Sequence, residues 1–461
     1  MSAARTRWYH ELTRYHWFVL AIAALGWLFD CLDQQLFTLS RRSAMTELLA
    51  PSPGAKPGIA DINAYSAYAT SIFLIGWATG GLAFGVLGDR IGRARTMLWT
   101  ILIYSLFTGL SALSVGFWDF AFYRFLTGLG VGGEFAVGVA LVAEVMPTAA
   151  RPFALALLQA LSGIGNGGAA LITMGFGDLE QRGMFADWTW PGSGEQIQVW
   201  RLMYVIGITP ALLAVVIRRR LKEPEKWQAA AAEAGASRRL GSYSELFSDP
   251  RWRHHATVGL LLALSGVVGL WAVGFFSSDL TQSVFRKTFE AQGMPETEIS
   301  GNLKFWAGVT MVMFHTGASL GMFGFGYLTY YVGRRPAFAL AFVSSLVSTV
   351  CVFLFLDTFS EIFWMVPLMG FCQLSLFSGY AIYFPELFPT HLRSTGTSFC
   401  YNVGRFVAAG GPLMLGYLTS SVFAGQAEPL RYAGVTLSSV FLIGLVVLPF
   451  APETRGRPLP E

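Results

Sequence analysis

The chain has 461 residues, of which 54% are hydrophobic and only 13% are charged. Soluble globular proteins carry about 25% charged residues, so this composition excludes an ordinary soluble domain and indicates a chain whose solvent is the lipid bilayer. The net charge of +4 is uninformative by itself, because the positions of the basic residues matter more than their number. The four cysteines lie in apolar runs without the spacing of a zinc site or a disulfide framework, and we interpret them as buried apolar residues.

About twelve apolar runs are long enough to cross a bilayer, which requires roughly 20 mostly apolar residues. The first run follows sixteen polar and basic residues and is too long for a signal-peptide core, so we expect no cleavable leader. The runs begin near Trp17, Tyr65, Thr96, Trp118, Pro152, Val199, Ala256, Lys304, Pro336, Phe359, Ser394 and Arg431. The sequence therefore predicts an all-α membrane protein with about twelve transmembrane helices.

The distribution of lysine and arginine predicts the orientation of these helices. If the N-terminus is cytoplasmic, the inner segments hold 21 basic residues and the outer segments hold 9. Cytoplasmic loops carry the excess of lysine and arginine in membrane proteins. We therefore expect a multi-pass protein of the cell (inner) membrane with both termini in the cytoplasm.

One long polar interruption, residues 218–255, separates six predicted helices from the next six. Its sequence is rich in alanine with interspersed charges, which predicts a cytoplasmic linker containing one or two surface helices. The predicted domains are thus an N-terminal six-helix bundle at 1–217, the linker at 218–255 and a C-terminal six-helix bundle at 256–461. The basic residues of the linker face the anionic inner leaflet in this arrangement.

The two halves repeat each other. Residues 85–93 read Gly-Val-Leu-Gly-Asp-Arg-Ile-Gly-Arg, and residues 326–334 read Gly-Tyr-Leu-Thr-Tyr-Tyr-Val-Gly-Arg, at an offset of 241. Residues 144–151 and 386–393 both have the pattern Glu-x-x-Pro-Thr-x-x-Arg, at an offset of 242. Two separate motifs at nearly one offset indicate the internal duplication from which secondary transporters are built.

These motifs resemble signatures of the major facilitator superfamily. Residues 85–93 look like its loop between the second and third helices, and residues 124–134 look like its fourth-helix signature. Residues 386–393, together with 223–227 and 452–460, are similar to the sugar-porter and organic-ion branches. The resemblance covers nearly the whole chain and implies the major facilitator fold of two six-helix bundles, but a fold does not fix the solute.

Two features within the resemblance favour solute–proton symport. The Gly-Gly-Glu sequence ending at Glu134 is similar to metabolite–proton and sialate–proton symporters. The fifth predicted helix, at residues 162–168, has no proline, whereas antiporters of the drug-efflux type usually carry a Gly-Pro pair there. A proton-coupled exporter of a metabolite or drug and a sugar symporter are the alternatives, and a non-transporting sensor is a third class.

The resemblance also implies a cytoplasmic gate. Asp89 and Arg93, with Arg90 beside them, would latch the outward-facing state, and the neighbouring glycines would permit a tight turn and a close backbone approach. The alternative is that the three basic residues of this loop, Arg90, Arg93 and Arg95, only anchor the topology. Uptake unchanged by Asp89→Asn would contradict the latch.

Two acid–base pairs extend this predicted gate. Glu144 with Arg151 and Glu386 with Arg393 are expected to pair at the inner face, where exposed ion pairs contribute roughly 0–1 kcal/mol. In the second half Thr329 and Tyr330 replace Gly88 and Asp89, so an acidic latch is present in one half only. The full predicted gate is Gly85, Gly88, Asp89, Arg90, Gly92, Arg93, Glu144, Arg151, Gly333, Arg334, Glu386 and Arg393.

Ionisable side chains at bilayer depth are costly and mark candidate functional sites. Asp30 and Asp33 are three residues apart on one helical face, and two adjacent carboxylates favour protonation of one of them. The alternative is that one of them neutralises a buried arginine. Arg124 is expected to pair with an acid of the first or fourth helix, and Glu134 shares its face. His315 is predicted to be a packing residue or a proton relay.

Arg405 is the predicted solute ligand, because a guanidinium holds a carboxylate through two hydrogen bonds. The alternative is that it pairs with one of the buried carboxylates. The first half has glycine at the repeat-equivalent position, so Arg405 is not a repeated structural element. Further candidate solute-binding residues are Tyr401, Asn402, Gln34, Gln159, Gln373 and Trp271.

The sequence thus predicts a secondary active transporter that moves a small organic anion with a proton by alternating access. Candidate anions are a sialate-like sugar acid, an aromatic acid and a short carboxylic acid. No metal cluster, nucleophile triad or nucleotide motif is present, so we expect no enzyme activity, no cofactor, no metal and no nucleic-acid partner. The expected partners are the solute, the proton and the bilayer, with the chain acting as a monomer.

Overall fold

The computed structural model describes residues 8–50, 57–182, 184–185, 187–189, 196–234 and 240–460. Within these ranges the chain is helical, and strand pairing is limited to one isolated bridge between Thr189 and Gln196. Nine of the described helical segments are long and apolar enough to cross a membrane. The prediction of an all-α membrane protein is confirmed. Five of the basic residues that were counted to predict the orientation lie outside the described ranges: Arg5, Arg7, Lys56, Arg238 and Arg239.

Eight helices make up the first half of the chain. The fifth and sixth predicted membrane crossings are each interrupted, the fifth after Ala160 and the sixth after Ile206. The helices are α1 (Arg14–Leu48), α2 (Ile59–Ile91), α3 (Arg93–Ser111), α4 (Phe117–Val145), α5 (Arg151–Ala160), α6 (Ser162–Gln181), α7 (Val199–Ile206) and α8 (Ala211–Arg220).

Two short helices follow in the linker, and nine helices make up the second half. The linker helices are α9 (Glu225–Ala234) and α10 (Tyr243–Ser248). The remaining helices are α11 (Pro250–Ala272), α12 (Ser277–Ala291), α13 (Glu296–Val332), α14 (Arg334–Phe355), α15 (Met365–Leu387), α16 (Arg393–Ala408), α17 (Gly411–Tyr417), α18 (Pro429–Ser438) and α19 (Phe441–Val447). Three predicted crossings fall outside the nine apolar segments: α3, α13 and the pair α16–α17.

The repeated glycine motif forms a repeated turn. Gly92 joins α2 to α3 with a φ of 109°, and Gly333 joins α13 to α14 with a φ of 97°. A side chain at such a backbone conformation is strained, so glycine is required at both positions. The two turns are the structural basis of the 241-residue offset.

A carboxylate caps the helix that follows each of these turns. Glu223 accepts hydrogen bonds from the backbone N–H groups at the start of α3, at 3.0 and 3.1 Å. Glu453 accepts from those at the start of α14, both at 3.0 Å. Partial burial opposes ionisation of Glu453, but its backbone N–H donors hold the pKa of this carboxyl below its usual value. Glu223 follows the sixth crossing and Glu453 follows the twelfth. Each half therefore has the same carboxylate cap at the start of the helix after its glycine turn.

The halves meet mainly along two helix pairs, α2 with α16 and α5 with α13. Glycines allow the close approach: Gly85 of α2 faces the side chain of Ser398, and Gly326 of α13 faces the side chain of Ala156. The two glycines are the first residues of the repeated nine-residue motifs. The motifs thus place small residues on the surface where one half contacts the other.

Candidate solute and proton site

Two carboxyl groups lie side by side between α1 and α4. Those of Asp30 and Glu134 are each about 1% exposed and within hydrogen-bonding reach of each other. Gly26 makes room for Glu134, since a Cβ at that position would overlap the Glu134 carboxylate. Neither carboxylate forms an ion pair with a basic residue in the described part of the chain. Like charges in contact at low dielectric cannot both ionise readily, so this pair is suited to hold one proton.

The second acid of α1 has a different partner. Asp33 lies 3.5 Å from the Arg124 guanidinium and accepts a 2.7 Å hydrogen bond from Thr108. Arg124 also donates to Ser111 and Thr127, at 3.1 and 3.0 Å. The expected Asp30–Asp33 carboxyl pair is therefore corrected: Asp30 pairs with Glu134, and Asp33 neutralises a buried arginine.

Arg405 of α16 is 3% exposed and forms no ion pair with any described carboxylate. Its Nη1 donates to the Asn402 side chain at 2.7 Å and to the Tyr401 carbonyl at 3.1 Å. Its Nε has no hydrogen-bond partner among the described residues. The buried Arg93, Arg124 and Arg393 pair with acids, whereas the buried Arg151 donates to a backbone carbonyl. A buried guanidinium without an ion pair favours the binding of an anionic ligand, which supplies the missing negative charge.

Aromatic rings surround the Arg405 guanidinium. Its Cζ lies 4.3 Å from the centroid of the Trp77 ring and 4.4 Å from that of Tyr401. Tyr401 packs against Phe135 of α4 at 4.4 Å between ring centroids, and the Gln159 side chain lies near the Tyr401 hydroxyl. The guanidinium is thus held between the halves of the molecule in an aromatic environment. Sequence reasoning missed Trp77, although it lies one helical turn before Gly81 on the α2 face that meets α16.

The proton pair and the guanidinium are neighbours. Cys31, the residue after Asp30, is 5% exposed and close enough to interact electrostatically with Asp30, Glu134 and Arg405. The predicted proton and solute residues therefore lie on either side of Cys31 in one buried region.

The remaining predicted solute residues have separate surroundings. Trp271 of α11 contacts Trp77 edge to face, with 6.3 Å between ring centroids. Gln373 of α15 donates to Thr349 at 2.7 Å within the second half. His315 of α13 has a buried Nε2 without a described partner, and Gln34 is half-buried on α1. Only Trp271 of these four has a contact that connects it to the Arg405 cluster.

At the predicted cytoplasmic end, Asp89 of α2 joins the two halves. Its carboxylate accepts hydrogen bonds from the backbone N–H groups of Ser394 and Thr395 at 3.1 and 2.8 Å, and from the Thr395 hydroxyl at 2.6 Å. It also pairs with Arg93 of its own half at 2.9 Å. A negative charge at the N-terminus of α16 is favoured by the free N–H groups and the helix dipole.

The acid–base pairs of the gate differ from the predicted ones. Glu144 pairs with Arg93 and Arg393, both at 2.8 Å, and Glu386 pairs with Arg334 at 2.7 Å. The predicted Glu144–Arg151 and Glu386–Arg393 pairs are wrong. Each glutamate instead binds the arginine that follows the glycine turn of its own half.

The two remaining arginines explain why the predicted pairs do not form. Arg393 reaches across the interface to Glu144, and Arg151 donates to the Ala143 carbonyl at 2.9 Å. Partners so distant in sequence could not be identified from the seven-residue spacing within each motif. The Glu144–Arg393 contact adds a second ionic connection between the halves, beside Asp89.

The linker also contacts both halves, which the sequence did not indicate. The Tyr243 hydroxyl donates to the Leu82 carbonyl of α2 at 2.9 Å, and Arg90 donates to the Leu240 carbonyl at 3.1 Å. On the other side, Glu245 lies 3.0 Å from the His391 ring. The linker therefore lies across the interface that Asp89 closes.

Replacing Asp89 with asparagine is expected to slow uptake by roughly fivefold or more, because hydrogen bonds to a charged acceptor contribute about 1.5–3 kcal/mol. Initial rates in proteoliposomes measure this. The matched control is Asp119→Asn, since Asp119 also accepts two backbone N–H bonds, from Val115 and Gly116, but within one half. Equal rates for wild type and Asp89→Asn would remove Asp89 from the gate.

A two-part helical bundle with ionisable groups buried between its halves defines a membrane transport protein. The sequence profile of the Major Facilitator Superfamily matches residues 43–412, and the chain belongs to this superfamily. It is a multi-pass membrane transporter and not an enzyme.

Curated relatives cover most of the chain. It is 29% identical to a putative metabolite transport protein of Haemophilus influenzae, over 98% of this chain and 99% of the relative. It is 28% identical to a probable 4-methylmuconolactone transporter of Cupriavidus pinatubonensis, over 94% and 89% of the two chains. A cis,cis-muconate transport protein of Acinetobacter baylyi is also 28% identical, over 84% and 85%. Metabolites and organic acids are thus the named solutes of these similar transporters.

Solved structures share the fold at low sequence identity. The proton:xylose symporter XylE of E. coli superimposes with a TM-score of 0.70 at 16% identity, over 96% of this chain and 98% of XylE. The human organic anion transporter MFSD10 superimposes with a TM-score of 0.67 at 14% identity, over 95% and 100% of the two chains. These matches establish the architecture, and the solute must be argued from the site.

Proposed function

We propose that this transporter moves a small organic carboxylate together with a proton, by alternating access, into the cell. The observation that carries the proposal is Arg405, a buried guanidinium between the halves that has no acidic partner among the described residues. A carboxylate solute supplies that partner through charge-assisted hydrogen bonds. The muconate and methylmuconolactone transporters among the relatives support an organic-acid solute.

The aromatic surroundings narrow the proposed class of acid. Trp77 and Tyr401 lie against the guanidinium, and Phe135 packs against Tyr401. A flat conjugated or aromatic carboxylate can stack on such rings while its charge meets Arg405. A neutral sugar would leave the guanidinium unpaired, which argues against sugar symport. Tyr401, Asn402 and Gln159 are proposed as further solute contacts.

The proposed proton site is the Asp30–Glu134 pair. One proton shared by the two carboxyl groups reduces their combined charge, and the incoming anion compensates Arg405 close by. Binding of the anion together with a proton therefore adds no net charge to the buried region, which avoids the electrostatic cost of burying the charge of the anion alone. Direct protonation in this way couples the solute to the proton gradient without a metal or cofactor.

The topology and the domain boundaries belong to the same proposal. The excess of lysine and arginine on one side supports cytoplasmic termini in the inner membrane. Two six-helix bundles, at 1–217 and 256–461, rock about the α2–α16 and α5–α13 contacts. The linker lies on the cytoplasmic side. The functional unit is a monomer. In this proposal the Asp89 and Glu144 contacts between the halves form the closed cytoplasmic gate.

A ligand screen by thermal shift tests the proposal. Purified wild type and Arg405→Ala are heated with benzoate, cis,cis-muconate, neutral sugars or amines, since a ligand at 100 times its Kd stabilises by about 2.7 kcal/mol. We expect the acids alone to raise the Tm of wild type. The variant should bind them roughly 10- to 100-fold more weakly, because a charged hydrogen bond contributes about 1.5–3 kcal/mol.

Two further variants sharpen this test. Arg405→Lys retains the charge without the two-pronged geometry and should bind the acids at an intermediate level. Arg90→Gln removes a cytoplasmic guanidinium that donates to the linker and should retain the wild-type shift. Stabilisation of wild type and Arg405→Ala to the same degree by sugars or amines would refute the organic-anion assignment.

A further inference from the structure

Two buried N–H groups, on a guanidinium and on the indole that it stacks against, have no hydrogen-bond partner among the described residues. They are Nε of Arg405 on α16 and Nε1 of Trp77 on α2. The indole is 2% exposed, and the guanidinium carbon lies 4.3 Å from its ring centroid. The two donors therefore belong to side chains that stack on each other, one from each half of the molecule.

An unpaired indole N–H at this depth is unfavourable, because a buried donor without an acceptor loses its hydration and gains nothing. Two other indoles in the described chain have partners: Trp200 donates to Glu47 at 2.5 Å, and Trp227 donates to the Asp89 carbonyl at 2.7 Å. The Trp27 indole is also unpaired, but it packs against Phe135. Trp77 differs because its ring lies against the Arg405 guanidinium, a cation whose Nε also has no described partner.

We propose that the solute carboxylate is bound by both donors, with one oxygen accepting from Arg405 and the other accepting from Trp77. This assignment rests on the proposed organic-anion function and adds a ligand from the first half of the chain. The carboxylate then connects α2 to α16 directly. Trp77 is a solute-binding residue in this arrangement, in addition to stacking on the guanidinium.

The next turn of α2 fixes the relative position of the two donors. A Cβ at Gly81 would overlap the Asn402 amide, so Asn402 packs directly on the α2 backbone. Asn402 in turn accepts the 2.7 Å hydrogen bond from Arg405. Contact between α2 and α16 therefore sets the positions of the indole and the guanidinium together.

This geometry links solute affinity to the conformation of the transporter. When α2 moves away from α16, Trp77 moves away from Arg405, and the carboxylate can retain only one of its two donors. A ligand shifts a conformational equilibrium by its difference in affinity for the two states. The bound carboxylate thus favours the state in which α2 and α16 are in contact, and their separation weakens its binding and promotes release.

Calorimetric titration of the purified full-length protein with benzoate, and with its uncharged amide benzamide, tests the two-donor site. Trp77→Phe keeps an aromatic face for Arg405 but removes the N–H group. We expect its Kd for benzoate to rise about tenfold, equivalent to about 1.4 kcal/mol. The Kd for benzamide, which lacks the charge that both donors recognise, should change little.

Two comparisons isolate the N–H group. Incorporation of 3-benzothienylalanine at position 77 retains the two-ring face and removes only the donor, so it should weaken benzoate binding as much as Trp77→Phe. Trp27→Phe removes another buried and unpaired indole N–H, on a ring that packs against Phe135, and it should leave the benzoate Kd unchanged. Equal weakening by Trp27→Phe would overturn the assignment to Trp77.

The outcomes separate the inference from the function on which it rests. If Arg405→Ala binds benzoate as tightly as wild type, or wild type binds no benzoate, the organic-anion function and the two-donor site both fail. If Arg405→Ala loses benzoate binding while the benzothienyl variant retains wild-type affinity, the solute class stands and the Trp77 hydrogen bond is disproved.

Discussion

Replacing Glu134 with glutamine is expected to abolish accumulation of the solute against its concentration gradient while leaving solute exchange intact. The wild-type Asp30–Glu134 pair has no basic partner in the described chain, and in the proposed mechanism this pair binds and releases the transported proton. Glutamine fills the space beside Gly26 but cannot release a proton. The variant should therefore bind and exchange the acid as though permanently protonated, without a link to the proton gradient.

Uptake by proteoliposomes under an imposed pH gradient, inside alkaline, measures this effect. Wild type should concentrate the acid transiently, whereas Glu134→Gln should bring the internal concentration only to the external level. Counterflow of labelled acid against unlabelled acid, without a gradient, should remain close to wild type. Asp30→Asn should behave in the same way, because both carboxyl groups of the pair are needed to exchange the proton.

Two other carboxylates serve as controls for this prediction. Glu47→Gln changes an outer ion pair with Arg201, at 2.8 Å, and should retain proton-driven accumulation. Asp33→Asn should instead reduce thermal stability, because Arg124 would remain buried without its acid, a change that costs about 3–5 kcal/mol. Accumulation by Glu134→Gln at the wild-type level would exclude this pair as the proton site.

The sequence predicted the repeated motifs better than their contacts. The glycine turns at Gly92 and Gly333 follow from local backbone requirements, so the repeated spacing was enough to locate them. The partner of Glu144 was missed because Arg93 and Arg393 approach it from distant parts of the chain. A spacing within one motif carries no information about which arginine the fold brings to the acid.

Trp77 shows a second limit of sequence reasoning. Trp99 on α3 is 55% exposed and Trp118 on α4 is 75% exposed, so both face the lipid, whereas Trp77 is 2% exposed. In a membrane helix, apolar and aromatic residues are favourable on both the lipid-facing and the buried surface. The hydropathy of the run therefore cannot distinguish a ring that stacks on Arg405 from one in contact with acyl chains. Only the neighbouring glycines mark the buried face of α2.

Replacing Gly85 with leucine is expected to stop net transport by preventing closure of the cytoplasmic side. A side chain at Gly85 would overlap Ser398 of α16, at the contact that joins the two halves. Overpacking costs typically about 1–3 kcal/mol, which shifts the closing equilibrium by roughly ten- to a hundredfold because about 1.4 kcal/mol corresponds to a factor of ten. Uptake should fall by at least that factor, while the fold of each half is retained.

Thiol labelling identifies the conformation in which Gly85→Leu is held. In a variant without the native cysteines, Ser394→Cys is buried against Gly88 and should react slowly with a membrane-impermeant reagent in inside-out vesicles. Adding Gly85→Leu should expose this thiol and increase its labelling. Unchanged labelling together with lost uptake would mean that the leucine acts elsewhere than at the cytoplasmic closure.

Two other glycines distinguish lost closure from lost folding. Gly308 of α13 has open space around its Cβ position, so Gly308→Leu should transport normally. Gly80 of α2 lies against the backbone of Leu129 on α4, within the first half, so Gly80→Leu should lower the Tm. Gly85→Leu is expected to retain a Tm near wild type, because the overlap is relieved when α2 and α16 separate. This set of results would mean that α2 and α16 can separate without unfolding either half, as the proposed alternating access to the buried site requires.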